Sequence, residues 1–396
     1  MTDRFSYKGN RRIICGLVLL ISVFGAAMVF SASKGFGDNL ELETSEHMFV
    51  ETVSMVFGMA AAIACSYVTL DKWKRITPYL VLAAAASWIL LFTPLRSDRF
   101  SSRMYISFGI VYIRPVTLMI FAYIMWLGFI VTRLEQTASK KLVFLSIWGS
   151  WFATACMMGI TKYCAVDIGR ILIITFVISM FFVGYIGRHM IGFAIAVISG
   201  IVCFLLILLS AGDGYYKVRR ITSWLNPSAY EMSDGYFILQ NLSVIKNAGF
   251  LGNGWCNVNE NAYMASPRSD DIFCVVVDNF GWLGGFLLVV VFAFLSYQIF
   301  RLVREVFRKK CTFGAAVSLG IFIHFTFSWL GNTAACLNLI PWHASCLPFV
   351  SLSPYIMIGM FLEFVVLISV SRYCEKTGTV KEEEIKQKYS AEVTGQ

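Results

Sequence analysis

Charge is scarce in this 396-residue chain: Asp, Glu, Lys and Arg make up 14% of it, where an ordinary soluble domain carries about 25%. That excludes a water-soluble globule. Histidine is scarcer still, and His47, His189, His324 and His343 stand isolated along the chain, so no metal site of the His/Cys type can be argued. The 11 cysteines include no CxxC pair, and several fall inside apolar runs, where cysteine acts as a small apolar residue. A structural disulfide framework is excluded on the same ground. Short-period repeats and low-complexity tracts are absent.

Apolar residues are abundant, at 58%. Runs long enough to cross about 30 Å of hydrocarbon fall near 13–33, 47–69, 77–94, 115–133, 143–160, 171–187, 190–211, 272–299, 313–336 and 347–371. The spacing predicts an all-α polytopic membrane protein with about ten transmembrane helices, folded as a single domain over 1–396. The run 13–33 is too long for a secretory signal peptide and reads as a retained first helix. Lys and Arg cluster at alternate connections: Arg4 to Arg12, Lys72 to Arg75, Arg133 to Lys141, Arg301 to Lys310 and the C-terminal tail. The positive-inside rule then places both termini (1–12 and 372–396) in the cytoplasm and the long connection 211–271 outside. The net charge of +9 reflects these anchors and requires no nucleic-acid partner.

That long connection is rich in aromatic residues, and its middle, GYFILQNLSVIKNAGFLGNGW, reads as an amphipathic helix ended by glycines. The outer side also carries more cations than the positive-inside rule requires: Arg96, Arg99, Arg103, Arg114, Lys162, Arg170, Lys217, Arg219, Arg220, Lys246 and Arg268. As a set they suit a phosphate-bearing ligand such as an anionic membrane lipid or a pyrophosphate. Individually, each has a local acid to pair with instead, among them Asp98, Asp167, Asp213 and Asp234.

The connection ends in SPRSDDIF, so Asp270 and Asp271 stand at the threshold of the eighth helix. Acids at membrane depth are expensive and usually functional. Partial desolvation and the like charge alongside would raise the pKa of one of them toward neutrality, where a base works best. Capping of the following helix is the alternative use. Asp278, seven residues beyond Asp271, falls on the same helix face and reads as a cavity-lining candidate or as a partner to a neighbouring helix.

The order and spacing of MVFSASKG, Arg219-Arg220, LNP, DGY, Gln240, Ser243, GFLGNG, SDDIF, DNFGWLGG and LPFVS resemble the SEDS family of FtsW, RodA and SpoVE over almost the whole chain. The family pattern puts its essential aspartate eleven residues before a glycine, which here is Gly281, and so in register with Asp270. The resemblance implies a bacterial plasma-membrane glycosyltransferase that polymerises peptidoglycan in division, elongation or sporulation. The acceptor sugar of lipid II attacks a glycan chain on undecaprenyl pyrophosphate, with inversion. It implies Asp270 as catalytic base, and Arg103, Tyr105, Asp167, Arg219, Arg220, Arg268, Asp271 and Asp278 as substrate-binding candidates. A class B penicillin-binding protein is the implied partner, and a divalent cation such as Mg²⁺ would suit the phosphates. The chain departs from the pattern where the family has Gln-Pro-Ser-Glu and a following lysine: here stand Arg114-Pro115-Val116-Thr117 and Ile120. Tyr-Gly-Gly-Ser-Ser after LPFVS is replaced by Leu352 to Ile356. These departures keep two other readings open: a non-catalytic paralogue that regulates a penicillin-binding protein, and a transporter of the lipid-linked precursor.

Overall fold

The structure, a computed structural model, describes residues 6–34, 53, 58, 67–97, 105–108, 111–135, 140–159, 165–183, 220–256, 264, 266–343 and 345–394. The expected helix over 190–211, most of the one over 47–69, and Arg103 and Arg219 lie outside them. The described helices are α1 (Tyr7–Lys34), α2 (Leu70–Ile89), α3 (Pro115–Glu135), α4 (Lys140–Gly159), α5 (Ala165–Val183), α6 (Asp234–Asn247), α7 (Ile272–Arg308), α8 (Thr312–Cys336) and α9 (Pro354–Thr394). Among the described residues seven of them, α1 to α4 and α7 to α9, are long and apolar enough to cross a membrane. The protein is a helical multi-pass membrane protein.

α3 and α8 form the centre. Their sequences are apolar all round, which lets every face be buried, and both are largely enclosed, α3 by α2, α4, α5 and α9, and α8 by α5, α7 and α9. Small residues bring them together, as bilayer packing favours. Gly128 meets Val317 and Gly320 meets Ile124, with no room for a Cβ at either contact.

α7 is broken. Gly281 takes φ 67°, ψ −170° in the middle of the helix, a backbone state open to glycine. The GFLGNG segment lies across the break and takes over the freed backbone groups. The Asn253 and Gly254 amides donate to the Asp278 and Asn279 carbonyls at 2.7 and 3.2 Å, and the Trp282 and Leu283 amides donate to Gly249 and Phe250 at 3.1 and 3.2 Å. A broken span needs such replacement bonds, because lipid supplies none. A side chain on Gly252 or Gly281 would collide with the opposing backbone.

Four boundaries differ from the sequence reading. α2 starts at Leu70, so Lys72 and Arg75 are not in a loop but on exposed faces of its first turns, around the buried Trp73. α7 continues to Arg308, carrying the basic run from Arg301 as helix. LPFVS is a turn with Phe349 at φ 62°, and α9 starts only at Pro354. Between α2 and α3 the chain forms a three-stranded antiparallel sheet, β1 (Arg96–Ser97), β2 (Tyr105–Phe108) and β3 (Val111–Ile113), that the apolar-run pattern did not anticipate. The amphipathic segment is helical as expected. It is α6, and it packs on α7 and α8.

Candidate active site

The SPRSDD segment is a tight turn held by the LPFVS turn. The Leu352 amide donates to the Arg268 carbonyl at 2.7 Å. The Ser351 hydroxyl donates to the Ser269 carbonyl at 2.6 Å while accepting from the Leu347 amide at 2.6 Å. From α8, the Asn332 side-chain amide donates to the Asp270 carbonyl at 2.7 Å and also to that of Ser345. Two motifs eighty residues apart are thus one structural unit, and their product is the placement of two carboxylates.

Asp271 is fully buried. It accepts from the Asn241 amide of α6 at 2.7 Å, the Ser266 backbone amide at 2.9 Å and the Trp342 indole at 3.4 Å. It occupies the N-cap position of α7 yet makes no side-chain capping bond. Its carboxylate ties α6, the turn and the 342 loop together instead. Burial raises its pKa, and the Asn241, Ser266 and Trp342 donors act the other way.

Asp270 points elsewhere. Its carboxylate accepts from the Cys346 thiol at 3.5 Å, a weak donor. Burial first, and then the adjacent charge of Asp271, push its pKa up to about 6, against the Cys346 thiol, the Arg114 guanidinium and the Ser345 amide. Tyr105, delivered on β2, is within electrostatic reach of Arg114, Cys346 and Asp270, and burial raises its pKa. The same burial drives the Cys346 thiol upward, so it stays protonated as a donor.

Beside this turn lies a narrow, partly open pocket with a cavity volume of about 30 Å³ between α3, α5, α8 and α9. Arg114, Asp167, Arg170, Ser345 and Cys346 line its Asp270 end. Arg170 bridges Asp167 at 3.2 Å and the Ser345 hydroxyl at 2.9 Å. Arg220 is not part of this lining; its guanidinium lies 5.5 Å from the ring centre of Trp342, the same indole that bonds Asp271. Near it, His343 lies in the field of Arg170, Asp167 and Arg220, its pKa lowered first by burial.

The sequence-derived candidates therefore divide. Asp167 lines the pocket, Asp270 stands behind Cys346 of its wall with Tyr105 in electrostatic reach, and Arg220 lies over Trp342. Asp271 and Arg268 belong to the scaffold of the turn. Asp278 is not at the pocket: its carboxylate accepts from Asn253 at 2.7 Å and holds the loop over the α7 break. An i+7 spacing shares a face with Asp271, but that face meets the loop here. Arg103 and Arg219 lie outside the described residues. Among the described residues no three His, Cys, Asp or Glu gather as metal ligands. Arg114 and Arg170 were legible only as members of a basic set. His324 is not isolated, because it pairs with Glu363 of α9. No sequence signal connects those two, 39 residues apart.

The family model of FtsW, RodA and SpoVE, described as cell cycle protein, matches residues 11–376. Stage V sporulation protein E of Bacillus subtilis is 26% identical over 365 residues, spanning 90% of this chain and 95% of that one. A probable peptidoglycan glycosyltransferase FtsW of Tolumonas auensis is 24% identical over 368 residues, 91% of each. A solved structure from work on the structural coordination of polymerization and crosslinking by a peptidoglycan synthase complex has the same fold. Its TM-score is 0.69 at 16% identity, with 91% of this chain and 97% of that one covered. Thermus thermophilus RodA superposes with a TM-score of 0.59 at 16% identity, covering 91% and 95%. With the match running through nearly the whole chain, and the fold shared with solved relatives, this chain belongs to the FtsW, RodA and SpoVE family.

Proposed function

We propose that the chain is a peptidoglycan glycosyltransferase that extends glycan strands from lipid II by inverting transfer. Relatives matched over 91% and 86% of the chain carry that activity in their names. The observation that carries the reading is the split between two neighbouring acids: Asp271 is held by three donors, while Asp270 is left with a raised pKa of about 6 next to a cation-lined pocket. A carboxylate of that pKa is ionised at neutral pH and still basic enough to take a hydroxyl proton.

In this mechanism Asp270 removes the proton from the acceptor hydroxyl as it attacks the anomeric carbon, and the bond to the undecaprenyl pyrophosphate oxygen breaks. Arg114, which already lies in the field of Asp270, offsets the charge growing on the leaving pyrophosphate, with Arg220 over Trp342 as a second guanidinium. Asp167 acts indirectly by holding Arg170 against Ser345.

The reading includes a class B penicillin-binding protein as partner, docked on the exposed apolar row Trp282, Phe286, Val290 and Phe294 of α7. It also places both termini in the cytoplasm and the Asp270 turn outside. Cysteines introduced at Ser228 and Thr379 of a cysteine-depleted variant test the orientation. An impermeant maleimide should label the first and not the second in intact cells. The activity is tested by polymerisation of fluorescent lipid II by purified protein with and without its partner. A second reading, regulation of the partner without catalysis, is favoured by Ile120 and Ile356 on the pocket wall. Wild-type protein that binds its partner yet forms no polymer would select it.

A further inference from the structure

Glu363 sits on the membrane-spanning part of α9, 2% exposed, and the reaction above makes no use of it. Its Oε1 meets His324 Nδ1 of α8 at 2.8 Å, and its Oε2 is buried with no hydrogen-bond partner. A half-satisfied carboxylate in such a place is costly. Ionisable side chains kept within membrane spans usually serve a site.

His324 lines the pocket opposite Thr117 and Ile120. It lies eight residues before Asn332, which holds the Asp270 carbonyl; that is roughly 12 Å along the helix from the Asp270 level. Beyond it, α3 and α8 close together at Gly320 and Gly128. The imidazole therefore has the carboxylate on one side and the pocket on the other, with Nδ1 taken by Glu363 and Nε2 left for the pocket. Thr117 and Ile120 stand where the family pattern has glutamate and lysine, so on this wall the ionisable pair comes from α8 and α9 instead.

With Nδ1 engaged by the carboxylate, Nε2 is the ring nitrogen left to meet a ligand: it donates when the ring is an imidazolium or when Nδ1 accepts the proton of the carboxylic acid. The other charged groups on the pocket are Arg114, Arg170 and Asp167, with Asp270 behind Cys346, and the Ser328 hydroxyl is committed to the His324 carbonyl at 2.7 Å. Arg114 and Arg170 are balanced in charge by Asp167 and Asp270, and it is their guanidinium N–H groups, together with the imidazole, that can meet an oxyanion here.

We propose that His324, oriented by Glu363, contacts ligand at the floor of this pocket and donates its Nε2–H to a phosphoryl oxygen of a lipid-linked pyrophosphate. The assignment rests on the glycosyltransferase reading but is tested apart from it, by binding. Full-length protein in nanodiscs is titrated with undecaprenyl pyrophosphate, with lipid II, and with phosphatidylglycerol as the phospholipid control. His324→Leu alone would strand Glu363, so the decisive variant is His324→Leu combined with Glu363→Leu; apolar replacement of a whole buried ion pair is often neutral for stability. The double variant should bind both pyrophosphate lipids about tenfold more weakly or worse, as expected for loss of a buried charge-assisted donor, with phosphatidylglycerol unaffected. His324→Gln and Glu363→Gln, which preserve a donor or the ring orientation, should stay within about threefold of wild type. In polymerisation the double variant should raise KM more than it lowers kcat. Equal affinity of wild type and double variant for the pyrophosphate lipids would overturn the proposal, as would an equal loss for phosphatidylglycerol or wild type that binds neither pyrophosphate lipid. Pair-dependent binding by a protein that makes no polymer would instead keep this inference and remove the catalytic reading.

Discussion

Asp270 and Asp271 are chemically identical and one peptide bond apart, yet the two sides of their turn treat them differently. On the α6 side Asp271 is met by an amide side chain, a backbone amide and an indole. On the pocket side Asp270 is given a thiol and a backbone amide, with a guanidinium at longer range. Donors stabilise a carboxylate as an anion and reduce its appetite for a proton. The side with strong donors therefore holds its acid in the scaffold, and in the proposed mechanism the side with weak ones supplies the base.

The sharpest way to break that comparison is Asp270→Asn. It should lower lipid II polymerisation by about 10²- to 10⁴-fold, the usual worth of a general base, at unchanged membrane abundance and unfolding temperature. The converse is Asp271→Ala, which strands the Asn241, Ser266 and Trp342 donors and should cost about 2–4 kcal/mol of stability, measured by thermal unfolding in detergent. If Asp271→Ala unfolds like wild type while Asp270→Asn melts early, the roles are reversed. Gly281→Ala tests the second aspartate-held feature, the loop over the α7 break. A Cβ there meets the Phe250 carbonyl and the backbone stays at positive φ, so about 1–3 kcal/mol should be lost and limited proteolysis should cut sooner within Phe250–Trp255. The smallest effect concerns pH. Asp270 must be ionised to act, so activity should fall as pH drops through about 6. Asp271→Asn removes the neighbouring charge that helps raise Asp270, so this acid limb should move to lower pH; a limb that stays in place would show that the two acids do not sense each other.

Much of this was legible along the chain. The glycine-ended amphipathic segment before GFLGNG marked α6, and the count back from Gly281 selected Asp270 over its neighbour. The break in α7 was not legible, because a glycine within a span does not by itself say whether the helix will bend there. Asp278 was misplaced for the same reason: periodicity gives the face of a helix but not what will cover it. The sheet at Arg96–Ile113 was hidden by its charges, which read as a loop, and with it went the route that brings Tyr105 to Arg114.

Composition and run length by themselves determined that this protein crosses a membrane as helices, because some 20 consecutive apolar residues leave the backbone no other way to satisfy its amides and carbonyls in lipid. The ordered motifs determined the family resemblance and the candidate base. Only the tertiary structure decided which polar groups meet: Asp270 with Cys346, Arg170 with Ser345, and His324 with Glu363. His324 and Glu363 join helices whose local sequence is nearly uniformly apolar, and in all three pairs the pattern along the chain carries no mark of the partner. Close packing through small residues such as Gly128 and Gly320 sets which side chains face one cavity.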